Sequence, residues 1–215
     1  MREVLNTTAA LWQVMRHYQR GYTVSIVFVT ESEKVPGKAL QWERDFGTRL
    51  LSYQKQDRKQ RGLPTAVALS TQVHGSPSRR ELILMATPLA LSAHPDSPWV
   101  KERWADHLPR VGVYIMVRSP RPQGCYSWTW NLQDRELARL SARLTQLVKS
   151  KNAFAVRSET ESWVQIFSMY RGVRAQLIRT IKSAQKLWHA CHRTNWPGIA
   201  PEHLPFITEF RRQES

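Results

Sequence analysis

The stretch TAVALSTQVHGSPSRRELILMAT, residues 65–87, constrains the fold more than any other part of the chain. Two β-rich runs, Thr65–Val73 and Glu81–Thr87, flank a turn segment containing Gly75, Ser76, Pro77 and Ser78, which is the pattern of a β-hairpin. A second β-branched run, YTVSIVFVT at 22–30, is so densely apolar that a central, largely buried strand is expected. Further on, RVGVYIMVRS and GCYSWTWNL pair across the turn PRPQG. These strands are expected to gather into one central antiparallel sheet with helices packed on one side of it, an α+β fold completed by a long basic C-terminal helix.

The helices are read from periodicity and capping. Residues 7–20 form one, with Thr7 or Thr8 as cap, Gly21 as its end, and Leu11, Trp12, Met15 and Tyr18 as its apolar face. EKVPGK is expected as a loop. A single helix follows from Ala39 to Arg61, with Leu40, Phe46, Leu50 and Tyr53 inward, QKQDRKQRG as its solvated end, and Gly62 and Pro64 as its stop. Residues 88–110 hold four prolines and a short helical candidate, WVKERWADHL. Asp134–Lys151 is helical, NAFAVRSETES is a connection or short strand, and a long helix runs from about Tyr170 to His192. The Pro-rich tail NWPGIAPEHLPF is expected to pack back on the body. The organisation expected is an N-terminal helix (1–20), an α+β core (21–160) and a basic amphipathic helix with its tail (161–215), forming one compact unit.

Charge narrows the partner. The chain of 215 residues carries a formal charge of +15, and such an excess attracts polyanions, of which nucleic acid is the commonest. A hydrophobic fraction of 41% and nine Trp argue for a packed globule rather than disorder. The only cysteines are Cys125 and Cys191, so a disulfide framework and a Cys-rich zinc site are both excluded. Arg2, Glu3, Arg16 and Arg20 interrupt the first twenty residues, and no apolar run approaches a membrane span. A soluble cytoplasmic protein without a secretory signal is expected.

The segment YRGVRAQLIRTIKSAQKLWHACHR contains no acidic residue. On a helical wheel its six basic residues, Arg171, Arg174, Arg179, Lys182, Lys186 and Arg193, fall within an arc of roughly 140°. Val173, Leu177, Ile181, Ala184, Leu187, Trp188 and Cys191 lie opposite. Surface helices ordinarily mix charges of both signs; a face of one sign presents a row of cations to phosphates, without specifying any base. His189, Cys191 and His192 lack a further ligand, so no metal is expected there.

From Thr23 to Lys151 the chain resembles the inovirus-type replication initiator family of the HUH endonuclease group. The resemblance rests on VSIVFVT, LQWERDFGTRLLSYQKQDRKQRGLP, TAVALSTQ, the turn VHGSPSR before RELILMA, then WVKERWADHL and ARLTQLVKSK. It implies a hairpin strand whose two histidines hold a divalent metal that polarises a DNA phosphate, and a helix tyrosine that attacks the phosphorus. This chain departs from that pattern in both halves. The strand reads Arg80, Glu81, Leu82, Ile83, where only Glu81 is a ligand type, and the helix has Thr145 and Gln146 where tyrosine is expected.

The expectation is therefore a degenerate, non-catalytic relative: a DNA-binding protein of a plasmid, phage or integrated element, serving replication control, regulation or assembly with other proteins. No cofactor, metal or membrane is expected. The phosphate candidates are the six cations of the 171–193 helix with Lys149, Lys151, Arg79, Arg80, Arg118 and Arg121. One alternative is a nicking or joining enzyme that uses Glu81, His74 and a displaced tyrosine, with Tyr53, Tyr126 and Tyr170 available. Another is an RNA-binding ribonucleoprotein subunit in which YSWTWN and Arg121 meet unpaired bases, although Trp128 and Trp130, on one side of their strand, are read as core.

Overall fold

A computed structural model of the chain describes residues 1–4, 6–73, 75–90, 108–121 and 124–206. It divides into two compact units, Met1–Gly112 and Val113–Ser215, a boundary that falls inside the expected core. The helix expected within WVKERWADHL, His74 and the end of the tail lie outside the described residues. The fold class is α+β as expected, with antiparallel-rich sheets and a long C-terminal helix.

In the first unit, β1 (Arg2–Val4), β2 (Val24–Glu31), β3 (Ala66–Val73) and β4 (Ser76–Ala86) form a sheet in the order β1-β3-β4-β2. The hairpin of β3 and β4 is its centre, and both strands are buried along most of their length. Ala66, Ala68, Leu82 and Leu84 pack with Trp42 and Phe46 of α2 (Val35–Phe46). The alternate residues Val67, Leu69, Ile83 and Met85 are also buried, and α1 (Thr7–Gln19) packs on these strands through Ala10, Leu11 and Val14. Burial on two faces explains why the hairpin reads as continuous apolar runs.

Several expectations are corrected here. YTVSIVFVT supplies an edge strand, not a central one: β2 pairs only with β4 within this sheet, and its inward residues Val24 and Ile26 alternate with half-exposed ones. β1 was not foreseen, and it runs parallel to β3. Asn6, rather than Thr7 or Thr8, caps α1 by accepting from the Ala9 N–H at 2.9 Å. EKVPGK is no loop; Val35, Pro36 and Gly37 open α2, where proline at the first turn removes no needed donor. The expected helix 39–61 is two helices, because Gly47 takes φ +60° and closes α2 before α3 (Ser52–Gln60) begins. The two-residue strand β5 (Arg110–Val111) ends the unit.

The second unit holds a separate hairpin, β6 (Tyr114–Pro120) with β7 (Tyr126–Leu132), so the strands do not form one sheet. It is followed by α4 (Asp134–Lys149), α5 (Ala153–Ile166) and α6 (Arg171–His192). NAFAVRSETES is helical, a further correction: Asn152 caps α5 by accepting from Ala155, and Val156, Thr160 and Trp163 are buried at helical spacing. Leu140, Leu144 and Val148 of α4 and Val173, Leu177, Ile181 and Trp188 of α6 complete the core. The tail packs back as expected through residue 206: Leu204 is buried and the Ile199 N–H donates to Thr160 Oγ1 at 3.0 Å.

Candidate nucleic-acid interface

Helix α6 is fixed at both ends. Near its start, Gln176 accepts from the Leu132 N–H at 2.7 Å and donates to the Leu132 carbonyl at 3.1 Å, matching the edge of β7 as a neighbouring strand would. Gly172 donates to Thr129 Oγ1 at 3.1 Å and sits so close to β7 that a Cβ there would overlap Asn131 and the Trp130 carbonyl. At its far end, His192 Nε2 meets the Val148 carbonyl at 2.7 Å. Since Leu132 precedes α4 and Val148 ends it, α4 and α6 run side by side in the same direction.

The outward face carries Arg179, Lys182 and Lys186, all exposed and without an ion pair or hydrogen bond to another described residue. Their wheel positions lie within about 60° and they span about 10 Å of helix axis. No carboxylate occurs on the helix to neutralise them.

The other six-residue-face members behave differently. Arg171 donates to the Ser119 and Pro120 carbonyls at 3.4 and 3.2 Å and to Ser127 Oγ at 3.1 Å, pinning the end of the β6–β7 hairpin. Arg174 donates to the Leu204 carbonyl at 2.8 Å and lies over the Phe206 ring at 3.9 Å, so it holds the tail. Arg193 lies beyond the last helical residue with φ +53°, where the wheel no longer applies. It stands at the same end as Lys149 and Lys151, which follow Val148; all three are exposed. Cations at helix C-termini also complement the helix dipole, so part of their placement is structural.

Arg118 lies over the Tyr126 ring at 4.3 Å, with Arg121 exposed beyond it on the hairpin. The Trp128–Trp130 reading splits: Trp130 is core and Trp128 half-buried, while Tyr126 is 58% exposed. Tyr126 is the residue the sequence reading undervalued, and its signal was the i, i+2 alternation with Trp128. Arg79 and Arg80 belong to the first unit, where they pair with Glu31 at 3.6 Å and Glu3 at 3.1 Å.

Of the catalytic alternatives, Glu81 is buried and accepts from the Gly112 N–H at 2.7 Å; burial raises its pKa, against the effect of that bond. Tyr53 is exposed on α3, whereas Tyr170 is half-buried, with its pKa raised by desolvation. Thr145 and Gln146 lie on α4. Among the described residues no group of three or more His, Cys, Asp or Glu could hold a metal ion. Cys191 is exposed rather than turned to the apolar side, a correction that follows from its place in the last turn, beyond the Trp188 contact. No helix among the described residues is long and apolar enough to cross a membrane.

No protein-family model, no curated protein and no solved structure matches the chain.

Proposed function

We propose that the protein is a nucleic-acid-binding module that grips phosphates along the outward face of α6. The observation that carries this reading is the row Arg179, Lys182 and Lys186, exposed and unneutralised on a helix without a single acidic residue. Lys149, Lys151 and Arg193 extend the positive charge at one end of that helix, and Arg118 and Arg121 extend it along the hairpin. DNA is the polymer we favour, and the replication-initiator resemblance makes a cytoplasmic role in replication control or nucleoprotein assembly of a mobile element the natural setting. The binding is non-catalytic on this reading, because the chain has no histidine pair on β4 and no tyrosine at the matching turn of α4.

A second reading is supported by Tyr126. An exposed ring beneath an arginine is a stacking platform for an unpaired base, which favours single strands, RNA included. A salt-series binding assay with labelled single- and double-stranded DNA and RNA, with and without Mn²⁺, decides among these. Salt-dependent binding with no adduct on a denaturing gel is the expected outcome, and preference for unpaired strands would bring Tyr126 into the site. A metal-dependent covalent adduct would replace the proposal with a nicking enzyme.

A further inference from the structure

Helix α3 poses a physical problem. Its sequence SYQKQDRKQ has no apolar stripe, and none of its residues is buried. A helix that lies on a protein body normally presents apolar residues at i, i+3, i+4 and i+7. At that spacing α3 presents Ser52, Lys55, Gln56 and Lys59 to a cavity of about 550 Å³ in the first unit. The opposite wall is the end of α1, with His17 and Arg20, and Tyr22 and Val67 close it from the sheet side.

The cavity is cationic and has no acidic lining residue. Lys55 donates to the Thr48 carbonyl at 2.8 Å, and Lys59 donates to the Arg20 carbonyl while lying over the Tyr22 ring at 3.9 Å. Each ammonium has three donors, so both keep further donors for a ligand. The one carboxylate that acts on Lys55, Glu43, lies outside the cavity lining and accepts from Thr48 and the Arg49 N–H through Oε2. His17 Nδ1 is buried without a hydrogen-bond partner. Burial and then the Arg20 and Lys55 charges lower the His17 pKa to about 4. Burial also depresses Lys55 and Lys59. The cavity lining therefore holds like charges, partly desolvated, with no carboxylate among them.

We infer that this cavity is a phosphate-binding site, in which Arg20, Lys55 and Lys59 converge on the phosphate group of a phosphorylated ligand and Ser52 and Gln56 supply neutral hydrogen bonds. The volume lies in the range of small-molecule sites and exceeds what one phosphate needs, so the ligand brings an organic part, as a nucleotide or a 5′-phosphorylated strand end does. The site lies in the first unit and shares no residue with the α6 interface, so either assignment survives failure of the other.

The test is thermal unfolding and ³¹P line broadening of the full chain with inorganic phosphate and pyrophosphate. Wild type is expected to be stabilised by millimolar pyrophosphate. Ser52→Glu, an exposed substitution that suits the first turn of a helix, is expected to weaken the effect about ten-fold by placing a carboxylate at the rim. Lys55→Gln is expected to weaken it similarly, whereas Arg179→Glu/Lys182→Glu/Lys186→Glu leaves it unchanged. In that triple variant, nucleoside diphosphate and 5′-phosphorylated against 5′-hydroxyl oligonucleotides identify the source of the phosphate, and either preference supports the site. No stabilisation and no broadening in wild type, or an undiminished response in Ser52→Glu, overturns it.

Discussion

At the residue scale, His17 ties local electrostatics to stability. Its pKa falls from 6.5 to about 4 on folding, first through burial and then through Arg20 and Lys55. The unfolded chain therefore binds the proton that the folded one refuses, and the stability His17 contributes is present above pH 6.5 and lost as pH falls toward 4. At about 1.4 kcal/mol per pKa unit the full loss is roughly 3 kcal/mol. Urea unfolding across this window should show wild type losing that much more than His17→Phe, which keeps a ring against Tyr22 without titrating; parallel curves would deny the shift. Lys151 and Arg193 make a different case. Both adopt left-handed backbone, φ +56° and +53°, at the ends of α4 and α6, where glycine is the unstrained choice. Lys151→Gly is expected to raise stability by about 1 kcal/mol while weakening nucleic-acid binding. Opposite signs in a denaturation curve and a binding titration would separate the backbone's preference from the side chain's use, and a loss in both would make the lysine structural.

At the scale of elements, the sequence disclosed what periodicity carries and concealed what geometry decides. The hairpin β3–β4 and the bounds of α6 were legible because Gly75 and Pro77 punctuate one, and apolar residues at three- and four-residue steps mark the other. The break at Gly47 was not, since the apolar stripe continues through Leu50, which is half-buried, and Tyr53, which is exposed. Helix α5 was hidden by Thr160, a polar residue at a core position that satisfies its hydroxyl on the Val156 carbonyl at 3.0 Å. Nor does β2's apolar density disclose that it forms an edge. The contact of α6 with β7 is equally invisible in a helical wheel, for it depends on Gln176, an amide among apolar neighbours. Gln176→Leu would leave the Leu132 N–H and carbonyl without partners, at roughly 1–3 kcal/mol each. Gly172→Ala would force a methyl against the Trp130 carbonyl and cost about 1–3 kcal/mol by overpacking. Equilibrium unfolding of the two variants checks both, and a change below half a kilocalorie in either would mean that α6 does not rely on that contact.

For the whole molecule, the question is which of its many cations act on a partner. Charge composition carries the proposal of a polyanionic partner, and the wheel carries the choice of helix, but neither distinguishes a cation that faces solvent from one spent inside the protein. Arg171 and Arg174 lie on the same wheel arc as Arg179, yet their guanidinium groups bind the β6–β7 hairpin and the C-terminal tail. The distinction has a measurable form, because phosphate contacts set the salt slope of binding while internal contacts set stability. Each cation that neutralises a phosphate contributes about 0.9 to the slope of log K against log salt on duplex DNA. Neutralising Arg179, Lys182 and Lys186 to Gln should lower the slope by about 3 if all three engage, with the unfolding midpoint nearly unchanged at exposed positions. Arg174→Gln should do the reverse, removing a charged hydrogen bond to Leu204 at a cost of about 1.5–3 kcal/mol and leaving the slope close to wild type. Should the triple variant retain the wild-type slope while Arg174→Gln reduces it, the tail would be displaced on binding and the phosphate row would have to be redrawn along the N-terminal half of α6.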